Sequence, residues 1–237
     1  MKQTLYHIAL SDLLWMLIPV GIVAFLYFRW TDDRTTLPYA LGRMLLQLLA
    51  IGYVLVYIFT TSSPWLVGGI LMIMLVAAGI IAMRPLPKAA KHYLYAIVAI
   101  VVGGVSTLGL VIFGVLSPDP WFDPKVVIPL AGMVFANSMN AVSIAAERLH
   151  SEHTAGATRT QARATAYRAA LIPIINSLFA VGLVSLPGMM TGQILSGVDP
   201  LIAVRYQMMV MLMILGSAGI SVGVYLWMVF KLNSFTQ

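Results

Sequence analysis

The chain has 237 residues, 60% of them apolar and 9% charged, with a mean hydropathy of +0.93. Soluble domains carry about 25% charged residues, so a water-soluble globule is excluded and the chain reads as a membrane protein. At about 20 residues per spanning helix, the length leaves no room for a separate ATP-hydrolysing domain. The absence of cysteine excludes disulfides, thiolate metal sites and cysteine nucleophiles together. The net charge of +6 and pI near 9.7 are explained by the division of positive charge between loops, and no nucleic-acid partner is expected.

In chain order, apolar runs of spanning length occupy Leu10 to Phe28, Ala40 to Thr60, Trp65 to Met83, Tyr93 to Leu116, Val126 to Ala146, Ala169 to Leu186 and Leu201 to Phe230. They predict an all-α polytopic membrane protein with seven transmembrane helices in a single domain, residues 1–237. The breaks have physical causes: charges at Arg29, Asp32, Asp33 and Arg34; Ser62, Ser63 and Pro64; the cluster Arg84, Pro85, Pro87, Lys88 and Lys91; and the turn-rich stretch Ser117 to Pro124. The last run is long enough to tilt or to leave the hydrocarbon.

Lys and Arg accumulate on the cytoplasmic side of a membrane. Starting the first helix outside places Arg29, Arg34, Arg43, Arg84, Lys88, Lys91, Arg148, Arg159, Arg163, Arg168 and Lys231 inside, 11 of the 14 basic residues, and leaves Lys2, Lys125 and Arg205 outside. The N-terminus is therefore expected outside and the C-terminus in the cytoplasm. The first run has no strong basic leader and no small-residue cleavage site, so it is expected to stay in the mature protein.

One long polar segment falls on the cytoplasmic side, Glu147 to Arg168, "ERLHSEHTAGATRTQARATAYR". It mixes charge with Ala, the best helix former, and Arg159 and Arg163 share a face at i, i+4. Gly156 interrupts it, which predicts two short helices meeting at a turn. Either it is a solvated loop, or its Ala-rich face docks another protein. A Glu, then Gly-Ala-Thr, then an amphipathic stretch entering a helix with "LIP" resembles the coupling loop of ABC-transporter permeases, which sits in a cleft of the ATPase. Here Gly156 precedes Pro173 by 17 residues, about one helical turn more than in the usual importer form.

Three further blocks, "GRMLLQLLAIGYVLVYIF" (Gly42 to Phe59), "VIPLAGMVFANSMNAV" (Val127 to Val142) and "GLVSLPGMMTGQILSGVDPLIAVRYQMMV" (Gly182 to Val210), resemble those of the FetB-type permease family. Bacterial members are described as the membrane subunit of an iron exporter, and plant relatives are linked to aluminium tolerance and UDP-glucose transport. The resemblance implies a permease of the bacterial inner membrane, working as a homodimer with a separate cytoplasmic ATPase subunit that carries ATP and Mg. Its coupling residues would be Glu152, Gly156, Ala157, Thr158, Arg159, Arg163 and Arg168.

The residues agree in part. No segment matches G-x-x-x-x-G-K-[ST], so the chain itself binds no cofactor and ATP is handled elsewhere. Polar groups within spans are costly and hence informative. Arg43 and Gln47 are an i, i+4 pair in the second run, Arg43 reading as a snorkelling anchor or as part of a path. Asn137 and Asn140 lie on one face of the fifth run, and Asn176 lies in the sixth; with Ser185 they are candidates for a translocation path or for helix-to-helix hydrogen bonds. At "LPGMMTG" the sixth helix is expected to stop, Pro187, Gly188 and Gly192 freeing carbonyls for a cation and Met189 and Met190 adding soft thioethers, or else forming a plain outer turn. Met133 joins them as a metal candidate because it lies near polar residues. The run Met208, Met209, Met211 and Met213 spreads around its helix and reads as apolar filler. Of the histidines, His150 and His153 are i, i+3 on the polar segment and read as solvated. Gly216, Gly219 and Gly223 offer a smooth face for a contact within the subunit or across a homodimer. Asp119 and Asp123 beside Trp121 either gather cations or form a solvated turn.

The expected function is an ABC-transporter permease exporting iron or another metal ion, not an enzyme by itself. A sugar nucleotide or chelated metal is the alternative substrate, since no acidic ligands for a hard cation occur in the spans. An ATP-independent secondary transporter is the alternative class, but neither internal repeats nor intramembrane carboxylates are evident.

Overall fold

A computed structural model describes residues 9, 11–58, 63–86 and 90–232. Among these the chain is helical, and strand-like pairing is confined to an isolated bridge between Val181 and Ser185. Six stretches are long and apolar enough to cross a membrane: Asp12–Trp30, Thr36–Ile58, Pro64–Ala82, Lys91–Leu116, Pro124–Thr154 and Pro200–Lys231. The predicted boundaries at Leu10, Thr60, Ser62, Pro87 and Lys88, with Phe59, Lys2 and His7, lie outside the described residues. Contacts divide the chain into two compact units, Met1–Thr60 and Thr61–Gln237.

The first unit holds a 3-10 turn, Asp12–Met16, running into α1 (Leu17–Trp30), followed by α2 (Thr36–Ile58). Asp33 organises the charged break between them. Its Oδ1 accepts from the Thr35 and Thr36 amides at 3.0 Å each, and its Oδ2 accepts from the Tyr27 hydroxyl at 3.0 Å. One carboxylate therefore satisfies two backbone amides at the start of α2, those of Thr35 and Thr36, and ties them to α1. Hydrogen bonds from the Thr36 side chain and from the Thr36 and Thr35 backbone hold this carboxyl well below the usual carboxylate range.

The second unit contains α3 (Pro64–Ala82), α4 (Ala90–Ile100), α5 (Ser106–Leu110), α6 (Pro124–Thr154), α7 (Arg159–Ala180), α8 (Gly188–Leu195) and α9 (Pro200–Lys231). α6 and α9 both start at Asp-Pro: Asp123 accepts from the Lys125 amide at 3.0 Å and Asp199 from the Leu201 amide at 2.8 Å. Each Pro occupies a first-turn position where no amide is needed. Asp123 is thus a helix cap, whichever role the turn before α6 plays. α9 is the hub, packing on α4, α6, α7 and α8. Ala203, Val210, Ala218, Val222 and Tyr225 are buried along it.

α4 and α5 form one rod with π-helical turns at Val101–Val105 and Val111–Leu116. The first turn lets Gly103 and Gly104 lie flush against their neighbours. A Cβ at Gly103 would fall 2.3 Å from Ser221 Oγ and 2.6 Å from the Ser217 carbonyl oxygen, and one at Gly104 would fall 3.1 Å from the Phe135 ring. The hydroxyls of Ser106 and Thr107 donate to the Val102 and Gly103 carbonyls that the widened turn loosens, the latter at 2.7 Å.

Neighbouring positions fix the helix directions. Gly79 of α3 packs on Ile97 of α4, and the Tyr225 hydroxyl of α9 lies 3.3 Å from His92 Nδ1 of α4. Gly216 lies against Thr107 and Gly219 against the Tyr167 hydroxyl. So α3 and α4 are antiparallel, and α4 and α7 each run antiparallel to α9. The predicted glycine face is a contact within the chain at Gly216 and Gly219; a Cβ at Gly223 meets nothing within 4 Å.

The apolar run Ala169 to Leu186 is divided. The first ten of the 22 residues of α7 come from the polar segment and the last twelve from this run. The chain then turns at residues 181–187 before α8.

Candidate coupling and transport site

The polar segment forms the tip of the α6–α7 hairpin. The two helices meeting at a turn are the ends of two long helices, not short separate ones. Gly156 takes φ +79°, the left-handed geometry that ends a helix. The Gly156 amide donates to the His153 carbonyl at 3.0 Å and the Ala157 amide to the Glu152 carbonyl at 3.1 Å, so the free carbonyls of α6 are closed. Two residues after Gly156, Thr158 starts α7 with a capping box. Its Oγ1 accepts from the Gln161 amide at 3.4 Å, and Gln161 Oε1 accepts from the Thr158 amide at 3.3 Å. The T-x-x-Q spelling announces this cap in the sequence. Glu152 pairs with Arg148 at 2.6 Å.

The two helices are therefore joined by a capped turn of four residues, 155–158, with Thr158 exposed on it and Arg159, Arg163 and Arg168 exposed along the first ten residues of α7. The Ala stripe faces the other way from the sequence expectation. Ala162, Ala166 and Ala170 are fully buried within the unit, where small side chains let α7 approach α6 and α9 closely. What this segment leaves exposed on the unit is its arginines and its tip.

Asn137 precedes Thr154 by 17 residues and Asn176 follows Arg159 by 17. In an antiparallel hairpin both lie roughly 25 Å from the turn, at ~1.5 Å per residue. Asn140 and Asn176 are exposed on the unit and Asn137 half-buried, its Nδ2 donating to the Met133 carbonyl at 2.8 Å. The structure thus brings Asn137 and Asn176 to one depth, on a hairpin whose buried positions are apolar or small. Ser138 is the one polar residue among those buried positions, and among the described residues its hydroxyl has no hydrogen-bond partner.

The break comes earlier than the sequence suggested. α7 ends at Ala180, where Gly182 takes φ +86° and the Ala180 carbonyl accepts from the amides of Leu183, Val184 and Ser185. Pro187 is the cap of α8, and Gly188 and Gly192 lie inside that helix because the Thr191 amide donates to the Pro187 carbonyl at 3.0 Å. Met189 and Met190 therefore project from a helix, not from an opened backbone, and Ser185 lies exposed in the 181–187 turn. Between this turn, α8 and α9 is a largely apolar cavity of about 430 Å³ whose walls include Pro187, Met190, Gln207, Met208 and Met211. Met133 lies on α6. Arg43 and Gln47 sit one turn apart on α2 of the first unit. Among the described residues no group of three or more His, Asp or Glu could hold a metal ion. In the methionine run Met208 is exposed and Met213 buried, as its spacing around the helix requires.

Residues 10–233 match the model of an uncharacterised protein family, UPF0014. The chain is 37% identical to a UPF0014 membrane protein of Synechocystis, over 91% of this chain and 90% of the relative. It is 40% identical to the probable iron export permease protein FetB of Escherichia coli, over 77% of this chain and 75% of the relative. It is 34% identical to the protein ALUMINUM SENSITIVE 3 of Arabidopsis thaliana, over 77% and 71%. No solved structure matches. With its apolar helices of spanning length, the chain is a multi-pass membrane protein and belongs to the UPF0014 family.

Proposed function

We propose that this chain is the permease subunit of an ABC transporter that exports a metal ion. It works as a homodimer with two ATPase subunits that bind ATP and Mg and dock on the α6–α7 tip. The observation that carries the reading is a charged end on the second unit. Helix directions put Arg84, Lys91, Arg148, Arg159, Arg163, Arg168 and Lys231 at the end bearing the tip, seven of the nine described basic residues there, and leave Lys125 and Arg205 at the other. By the distribution of Lys and Arg the tip is cytoplasmic. Because α7 runs antiparallel to α9 along its length, it acts as a crossing despite its polar first half, which supports seven crossings. In the first unit Arg29, Arg34 and Arg43 lie about the break between α1 and α2 and the start of α2, so by the same distribution α1 starts outside.

A capped tip continuous with α7 would carry ATPase motion to the depth of Asn137 and Asn176. Within the second unit the path would be lined by these with Asn140 and Ser185. The metal enters as substrate, and Met133, Met189 and Met190 are its candidate soft donors; the name of the FetB relative supports the metal reading.

The cysteine-free chain allows a direct test. A single Ala155→Cys should react with an impermeant maleimide only from the cytoplasmic face and should crosslink to a co-purifying ATPase. A single Ser196→Cys should react only from the opposite face. Labelling of both from one side, or an ATPase that co-purifies equally well after deletion of residues 155–164, contradicts the proposal.

A further inference from the structure

At the tip end of the second unit, residues of α7 and α9 line a cavity of about 350 Å³: Arg163, Ala164, Tyr167, Gly223 and Leu226. Arg163 is exposed, and among the described residues it has no ion-pair partner. The Tyr167 hydroxyl lies against Gly219, one turn along α9 from Gly223. Gly223 leaves the floor open, since a Cβ there would meet nothing within 4 Å. Further along α9, Trp227 and Lys231 follow Gly223 at four-residue steps, on the same flank. Trp227 is exposed, and Lys231 Nζ lies 4.5 Å from its ring centroid. Arg159 stands one turn before Arg163 on α7.

The cavity is therefore lined by one cation, Arg163, one amphipathic ring, Tyr167, and apolar or small groups, with Trp227 and Lys231 further along the same flank of α9. Water-facing coupling needs the arginines but gives no reason for an open apolar floor beneath one of them. A free anion would use the guanidinium and leave the walls unused. An amphiphile uses both. We propose that this cavity binds an anionic phospholipid of the cytoplasmic leaflet, its phosphate on Arg163 and the upper part of an acyl chain against Ala164, Gly223 and Leu226. Basic pockets between membrane helices on the cytoplasmic side take such headgroups. The bound lipid wedges α7 against α9 beside the coupling tip. The proposal rests on the sidedness inferred above and not on the pairing with an ATPase, so maleimide labelling of Ala155→Cys checks the first while the following experiment checks the lipid.

The purified full chain is equilibrated with equimolar phosphatidylglycerol and phosphatidylcholine in detergent, and bound lipid is counted by native mass spectrometry. Phosphatidylglycerol should be preferred, and Arg163→Gln should reduce that preference about five-fold, whereas Arg163→Lys should largely keep it. Gly223→Leu should displace both lipids by filling the floor, and Arg205→Gln at the other end should change nothing. A second readout needs no variant: the Tm of the wild-type chain should rise with phosphatidylglycerol and not with phosphatidylcholine. Equal retention of the two lipids by the wild type overturns the proposal, as does a preference unchanged in both Arg163→Gln and Gly223→Leu. Full displacement by millimolar inorganic phosphate also overturns it, because the site would then read a free anion.

Discussion

Replacing Gly103 with Ala tests the packing that holds the rod of α4 and α5 against α9. The added methyl would sit 2.6 Å from the Ser217 carbonyl oxygen and 2.3 Å from Ser221 Oγ. The Ser217 carbonyl belongs to a helix backbone and cannot rotate away, so restoring a C···O distance of about 3.3 Å opens the interface by roughly 0.7 Å. Overpacking of this kind costs about 1–3 kcal/mol, and at about 2–4 °C per kcal/mol the Tm in detergent should fall by roughly 2–12 °C. Ser221→Ala removes only the nearer of these obstacles, so the double variant should recover less than half of the loss. Ser221→Ala alone should be close to neutral, because the Ser221 hydroxyl is buried without a hydrogen-bond partner. Gly109→Ala and Gly114→Ala, where a Cβ meets nothing within 4 Å, are the controls. A Gly103→Ala protein no less stable than these, measured by thermal unfolding with size-exclusion detection, would refute the reasoning.

Other outcomes follow from single contacts. Thr158→Ala removes the capping box and should weaken the start of α7 by about 0.5–2 kcal/mol, read as faster hydrogen exchange at residues 159–162 with little change in α9. Because the carboxyl of Asp33 is held below its usual range, its contribution is present above the unfolded carboxylate value of about 4 and is lost only as pH falls through the lowered one. Protease protection of residues 31–35 should thus be flat from pH 8 to 5, and Asp33→Asn should weaken protection across that range. Asn137→Leu removes a bond within its own helix and should change stability by under about 1 kcal/mol, yet lower metal efflux from loaded vesicles; unchanged efflux would remove Asn137 from the path.

Much of the fold was legible because bilayer spans advertise themselves by length, and the charges that end them are physically costly to bury. The starts of α6 and α9 were spelled by Asp-Pro at 123–124 and 199–200, and the start of α7 by T-x-x-Q at 158–161. Residues 169–186 misled in one respect. Hydropathy sees an unbroken run, whereas the turn is set by the positive φ at Gly182, which leaves no trace in average apolarity. The Ala stripe at 162, 166 and 170 was equally ambiguous, since small residues at four-residue spacing fit an outside partner or a neighbouring helix, and only the fold shows that they face inward. The π-helical turn at Gly103 has no sequence period of its own. Of the candidate site, the tip was visible as the one long polar segment. The equal depth of Asn137 and Asn176 depends on where the hairpin turns, and that position became countable only once Gly156 and Thr158 were seen to close the two helices.

The central claim is that ATP-driven motion enters through the α6–α7 tip. The direct measurement is ATP turnover by the co-purified ATPase in liposomes, with the intact chain and with residues 155–164 deleted. Stimulation by the intact chain and its loss on deletion are the predicted results. No stimulation by the intact chain, or stimulation that survives the deletion, would contradict the account.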